Sequence, residues 1–149
     1  MDYCCEVWGL RFISHTNQLM KLQKRAARTI LKVNILTPSE QLFRNLEWLS
    51  YPQRVMYFRC IFIFKTLNKL SSDFFNDNFK FVSEKHNVNT RSATNLQLDI
   101  PKCNTEYYKC SFIISSISMF NSLPLHLKTL TTLSSLKKEL KSHIMSGKC

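Results

Sequence analysis

"SYPQRVMYFRCIFIFKTLN", residues 50 to 68, decides the fold. Ser50 and Gln53 stand three apart, the spacing at which two side chains satisfy each other's backbone N–H groups at a helix start. The window from Val55 to Phe64 is apolar except for Arg59. A helix that is apolar almost all round has no face to give to water, so this stretch is expected to be the central buried one. At ten residues, broken by Arg59, the window is too short to span a bilayer.

Outward from this helix, other helical signals dominate. Upstream, "TPSEQLFRNLEWL" places Thr37 and Glu40 three apart with Pro38 between them, and predicts a second capping box with Pro38 at the first helical position. Before it, "QLMKLQKRAARTILKVN", residues 18 to 34, is expected to be a helix capped by Thr16 or Asn17 and ended by Asn34 in a left-handed conformation. Downstream, "SSDFFNDNF" predicts a short helix or turn, and residues 80 to 95 a polar loop. "LQLDIP" alternates and stops at Pro101, which predicts a short strand; "EYYKCSF" is expected to pair with it across "KCN". Ile113, Ile117, Phe120 and Leu123 share a helical face stopped near Pro124, and Leu133, Leu136, Leu140 and Ile144 share another. The expected fold is mainly α: a small helical domain with a hairpin-like β element near residues 96–110. It is expected to be a single domain over 1–149, helical over 1–79, loop and short strands over 80–111, and helical again over 112–149.

A chain of 149 residues can bury a real core, and its 44% hydrophobic content with eleven Phe excludes a disordered one. The formal net charge of +11 favours polyanionic partners. That charge sits at the two ends, net +6 over residues 1 to 65 and net +4 over 111 to 149, around a nearly balanced middle. Two glycines, Gly9 and Gly147, cannot build phosphate loops or nucleophile elbows. The N-terminus has neither a basic n-region nor a signal-length apolar run. The expected location is therefore intracellular, nuclear or cytoplasmic rather than secreted, with Cys4, Cys5, Cys60, Cys103, Cys110 and Cys149 as thiols.

The candidate site is the stretch from Met20 to Lys32, with five basic residues and no acidic one. At about 100° per residue, Lys21, Lys24, Arg25, Arg28 and Lys32 fall within an arc of about 100°. Leu19, Leu22, Ala26, Ile30 and Val33 lie on the far side, with Met20, Ala27 and Leu31 widening that face. The pattern predicts one buried face and one cationic face. A merely solvated face is the plainer reading, but solvated faces usually mix signs because opposite charges at i and i+4 support the helix. Five like charges cost a little repulsion, which a phosphate backbone would neutralise. An anionic membrane surface is the other candidate; it favours Trp, Phe and Leu, whereas Ala26 and Ala27 suit close packing on another helix. RNA, DNA or an RNA–DNA hybrid is the expected partner.

Other chemistry is thin. Cys103 and Cys110 are seven apart, and His15, His86, His126 and His143 are scattered, so no zinc-ligand spacing exists. No His is singled out beside a nucleophile. Asp2, Asp73, Asp77 and Asp99 are isolated, with no neighbouring pair to hold Mg²⁺. The expectation is no catalytic residue, no metal and no cofactor: the chain is not an enzyme on its own.

The segments "DYCCEVWG", "KLQKRAARTIL", "LFRNLEWLSYPQRVMYFRCIFIFKTLN", "NTRSATNLQLDIPKCNTEYYKCSF" and "FNSLP" occur in this order. Together they resemble the C-terminal part of reverse transcriptases from non-LTR (LINE-type, jockey-like) retrotransposons, over nearly the whole chain. The resemblance implies the thumb and a helical extension of an RNA-directed DNA polymerase, beyond the palm and its [FY]xDD turn. It implies backbone contact with template–primer for Lys21, Lys24, Arg25 and Arg28, and a missing palm domain as a partner. In a fragment that cannot fold well alone, Phe58, Phe62 and Phe64 would face that missing palm and leave an apolar patch exposed. The sequence departs from that family at Ile114, Ser116 and Phe120, which stand at Tyr, Gly and Trp positions, and at Asn104, which stands for an Arg. A truncated reverse transcriptase that keeps sequence-independent nucleic-acid binding is the resulting expectation. The alternatives are a helical protein–protein interaction module and a retrotransposon remnant without function.

Overall fold

Tyr51–Leu67, here α4, is buried on all sides, as its composition requires: Tyr51, Val55, Arg59, Cys60, Ile61, Ile63, Phe64 and Thr66 point around its whole circumference. A computed structural model of the chain describes residues 5–9, 13–85 and 90–147. Along these the helices run α1 (Cys5–Trp8), α2 (Ile13–Leu31), α3 (Ser39–Asn45), α4, α5 (Val82–Lys85), α6 (Arg91–Thr94), α7 (Glu106–Lys109), α8 (Phe112–Asn121), α9 (Leu125–Lys128) and α10 (Leu133–Met145), with a 3-10 turn over Asp73–Asn78 after α4. The mainly α class holds.

The capping box that opens α4 forms: Gln53 Oε1 accepts the Ser50 N–H at 3.0 Å and its hydroxyl at 2.9 Å. The one expected at Thr37 and Glu40 does not. α3 begins at Ser39 with Pro38 itself in the capping position, φ −57° and ψ 134°, and no side chain bonds the first turn. Thr37 stands one residue too far upstream. α2 reaches back to Ile13, so Thr16 and Asn17 lie inside it rather than capping it. Its end is a Schellman turn, in which the Val33 N–H bonds the Arg28 carbonyl at 3.3 Å and Lys32 takes the left-handed φ of 51°. Asn34, expected in that position, instead accepts the Leu36 N–H at 3.2 Å.

The main core lies between α4, α8 and α10. Cys60, Ile61 and Ile63 meet Ile117 and Phe120 of α8 and Leu140 and Ile144 of α10, with Leu123, Leu127, Phe79 and Leu98 closing the sides. Each such side chain contributes about 1.5–3 kcal/mol when fully withdrawn from water. Gln53 Nε2 donates to the Ile144 carbonyl at 3.3 Å, so the start of α4 holds the end of α10. Phe62 packs edge-on against Phe75, Phe79 and Phe112, and Phe64 is buried. Phe58 packs beside Tyr51 and Val55. These three rings, expected to await a palm, are therefore taken up within the chain.

Arg59 interrupts the apolar window without leaving the core. Its guanidinium donates to Ser115 Oγ at 2.8 Å and to the Gly9 carbonyl at 2.9 Å, and lies 5.8 Å from the Phe112 ring centroid. It thereby ties α1 and α8 to α4. Gly9 permits this approach: a Cβ there would sit 2.6 Å from Val55 Cγ2.

The β element is smaller than expected and pairs elsewhere. Leu98 forms a single antiparallel bridge with Phe81, through Val82 N–H to Gln97 O and Asp99 N–H to Lys80 O, both 2.9 Å. "EYYK" is not a strand but the helical turn α7, because the Thr105 hydroxyl accepts the Tyr108 N–H at 3.2 Å and starts a helix. The expected loop over 80–95 contains α5 and α6, the latter started in the same way by the Thr90 hydroxyl, which accepts the Ala93 N–H at 3.3 Å. The second side of Leu98 is met by a side chain: Asn121 Oδ1 accepts its N–H at 2.8 Å and Asn121 Nδ2 donates to its carbonyl at 2.9 Å.

Candidate nucleic-acid interface

α2 is seated on the rest of the fold through one edge of its expected apolar face, with Leu19 and Met20 also packed against Cys5, Tyr51 and Val55. Ala27 is fully buried against Leu42 and Phe43 of α3, and Met20 and Leu31 pack beside it. Gln23 is buried too, and its Nε2 donates to the Leu49 carbonyl at 2.7 Å. At about 100° per residue these four residues share one narrow face. Leu22, Ala26, Ile30 and Val33, expected inside, are exposed, Leu22 by 52% and Ile30 by 56%. The helix is thus rotated relative to the expected setting. α3 is only seven residues long and offers a small contact, and a small Ala at its centre allows the closest approach.

The cationic arc survives this rotation in part. Lys21, Arg25 and Lys32 are exposed, whereas Lys24 and Arg28 are half-buried at the edge of the seat. Arg28 Nη2 reaches the Thr37 carbonyl at 3.5 Å, which turns its guanidinium toward the α2–α3 connection. The five side chains expected as one row therefore divide into three that face solvent and two that are half-buried, of which Arg28 bonds the α2–α3 connection. No acidic residue occurs between Glu6 and Glu40, so nothing on α2 neutralises the three.

A second cationic feature escaped the sequence reading. Arg54, Tyr57 and Phe58 of α4, together with Glu47, Trp48, Leu49 and Lys141, line a cavity of about 240 Å³. The Arg54 guanidinium lies 5.9 Å from the Phe58 centroid, and burial pushes the Tyr57 phenol above its usual pKa. The spacing i, i+3, i+4 of a base and two aromatics was a usable signal; the apolar character of the whole helix concealed it.

The aspartates of the middle segment have local partners. Asp77 pairs with Lys80 at 3.1 Å and Asp99 with Lys85 at 2.8 Å, while Asp73 accepts from Asn76. The fold brings the His126 and His143 rings to 6.3 Å, a proximity no sequence spacing indicated. Among the described residues no three His, Cys, Asp or Glu could hold a metal ion, and none of Cys5, Cys60, Cys103 and Cys110 is in a disulfide. Asp2, Cys4, His86 and Cys149 lie outside the described residues. No described helix is long and apolar enough to cross a membrane. Comparison of the chain with family models, curated proteins and solved structures finds no match.

Proposed function

We propose that the chain is the thumb and helical extension of a non-LTR retrotransposon reverse transcriptase, and that it binds nucleic acid through phosphates without reading sequence. The family part of this reading rests on the five motifs in order. The binding part is carried by one observation: Lys21, Arg25 and Lys32 stand exposed on one side of α2, with no acidic residue between Glu6 and Glu40. Exposed cations with no acid beside them on the helix favour phosphate contacts, which carry no base information. The cleft of Trp48, Tyr57 and Phe58 beside Arg54 and Lys141 supports it further, since aromatic faces next to cations hold unpaired bases. In this reading polymer synthesis belongs to other parts of such an enzyme, and these residues grip.

The test is the salt dependence of binding to a duplex. Replacing Lys21, Arg25 and Lys32 together by Gln should flatten the log–log slope by about 2 to 3 units. Replacing Lys24 and Arg28 by Gln should flatten it less, because both are half-buried and Arg28 is engaged with Thr37. Affinity should fall equally for unrelated sequences. An unchanged slope in the triple variant, measured by fluorescence anisotropy from 50 to 200 mM salt (roughly the range over which phosphate contacts show), would refute the phosphate reading.

A further inference from the structure

The rotation of α2 leaves an apolar line in solvent. Leu22, Ala26 and Ile30 recur at spacings of four, so they form one ridge along α2, and Val33 follows just past its end. All four are exposed, and the turn after α2 exposes Ile35 by 76% and Leu36 by 85%. On one flank of the ridge, beyond Gln18 and Thr29, stand the exposed Lys21, Arg25 and Lys32. Isolated surface aliphatics need no explanation, but a row of them at helical spacing marks an interaction surface.

We propose that this ridge docks an acidic amphipathic helix of a partner protein. Charge complementarity selects the occupant. Lys21 and Arg25 are four apart on α2, the interval at which a partner helix presents acidic side chains along one edge of its apolar seam, and Lys32 adds a third cation at the turn that ends α2. A second copy of this chain would bring the same cations and no acid to the flank, which disfavours self-pairing. A lipid surface suits the ridge less well. The row is narrow, Ala26 lies in its middle, and no aromatic residue occurs from Ile13 to Thr37. A small residue at mid-ridge instead lets a second helix backbone come close. The inference does not depend on nucleic-acid binding, although both would use the three cations.

The probe is a labelled 21-residue synthetic helix with Leu at the seam positions and Glu along the flanks, titrated with the purified chain. Leu22→Gln with Ile30→Gln should weaken its binding about tenfold or more, with circular dichroism and nucleic-acid salt slope unchanged. Lys21→Gln, Arg25→Gln and Lys32→Gln together should weaken it and reduce its salt dependence. A control peptide of the same charge with Ser at the seam should bind no better to the parent than the Leu peptide binds to the ridge variant. Equal binding of both peptides would mean charge alone and overturn the proposal, as would an unaffected ridge variant or no binding of the Leu peptide. A dimer in sedimentation that the ridge variant dissolves would assign the ridge to a second copy instead. Loss of binding to phosphatidylserine vesicles in that variant, without loss of peptide binding, would assign it to lipid. Either result overturns the proposal.

Discussion

Asn121 shows how one side chain does the work of a strand. Its amide offers an acceptor and a donor in the geometry of a peptide unit, and Leu98 uses both, at 2.8 and 2.9 Å. That pairing holds the backbone of a fully buried leucine, whose polar groups would otherwise face the core unsatisfied. The neighbours in "FNSLP" act alongside it: Phe120 and Leu123 are buried, and Pro124 precedes α9 in its capping position. Lys128 stacks 5.7 Å from the Phe120 centroid and donates to the Asn121 carbonyl at 3.1 Å, and burial lowers its pKa. Asn121→Asp keeps the shape but loses the donor and sets a carboxylate against the Leu98 carbonyl. It should cost about 1–3 kcal/mol in urea unfolding, whereas a solvent-facing change such as Ser122→Ala should stay within about 0.5 kcal/mol. If the two were equally mild, the clamp would not be holding Leu98.

At the scale of elements, what could be read from sequence depended on how much apolar surface each helix carried relative to what it can bury. α4 is apolar all round and is central, and Leu136, Leu140 and Ile144 of α10 and Ile117 and Phe120 of α8 are buried as their spacing predicts. α2 has a wide apolar face and a small seat, so only the edge with Leu19, Met20, Ala27 and Leu31 is covered, and periodicity centred the buried face wrongly. Gln23 goes inside because Leu49 offers it a carbonyl, and Arg59 because Gly9 and Ser115 receive its guanidinium; neither is visible as hydrophobicity. The alternation of "LQLDIP" misled likewise, since its partners are Phe81 and an asparagine rather than a hairpin. Of the five expected site residues, Lys21, Arg25 and Lys32 are exposed, and Lys24 and Arg28 are half-buried beside a seat whose exact setting the sequence did not reveal. The setting of α2 can be checked by stability. Ala27→Leu should overpack against Leu42 and Phe43 and cost about 1–3 kcal/mol. Leu22→Ala and Ile30→Ala should each change stability by about 0.5 kcal/mol or less. The opposite ranking by thermal melting would restore the face expected from periodicity.

The whole molecule closes around α4 from both directions of the chain, with α1 and α2 before it and α8 and α10 after it. The last helix is not an appendage. Leu140 and Ile144 complete the main core, Leu136 is equally buried, and the Ile144 carbonyl receives Gln53 from the start of α4. Removing residues 133–149 would expose Cys60, Ile61 and Ile63 on one side and forfeit three large buried side chains. At about 1.5–3 kcal/mol each, that loss is comparable with the about 5–15 kcal/mol by which such domains are stable. The full chain should therefore unfold in one cooperative step in urea. The chain ending at Thr132 should show a broad transition, bind a hydrophobic dye and lose near-ultraviolet dichroism while keeping much of its helix. A sharp transition in the shortened chain, with an unchanged midpoint, would mean that α10 lies outside the cooperative unit and that α4 is covered without it.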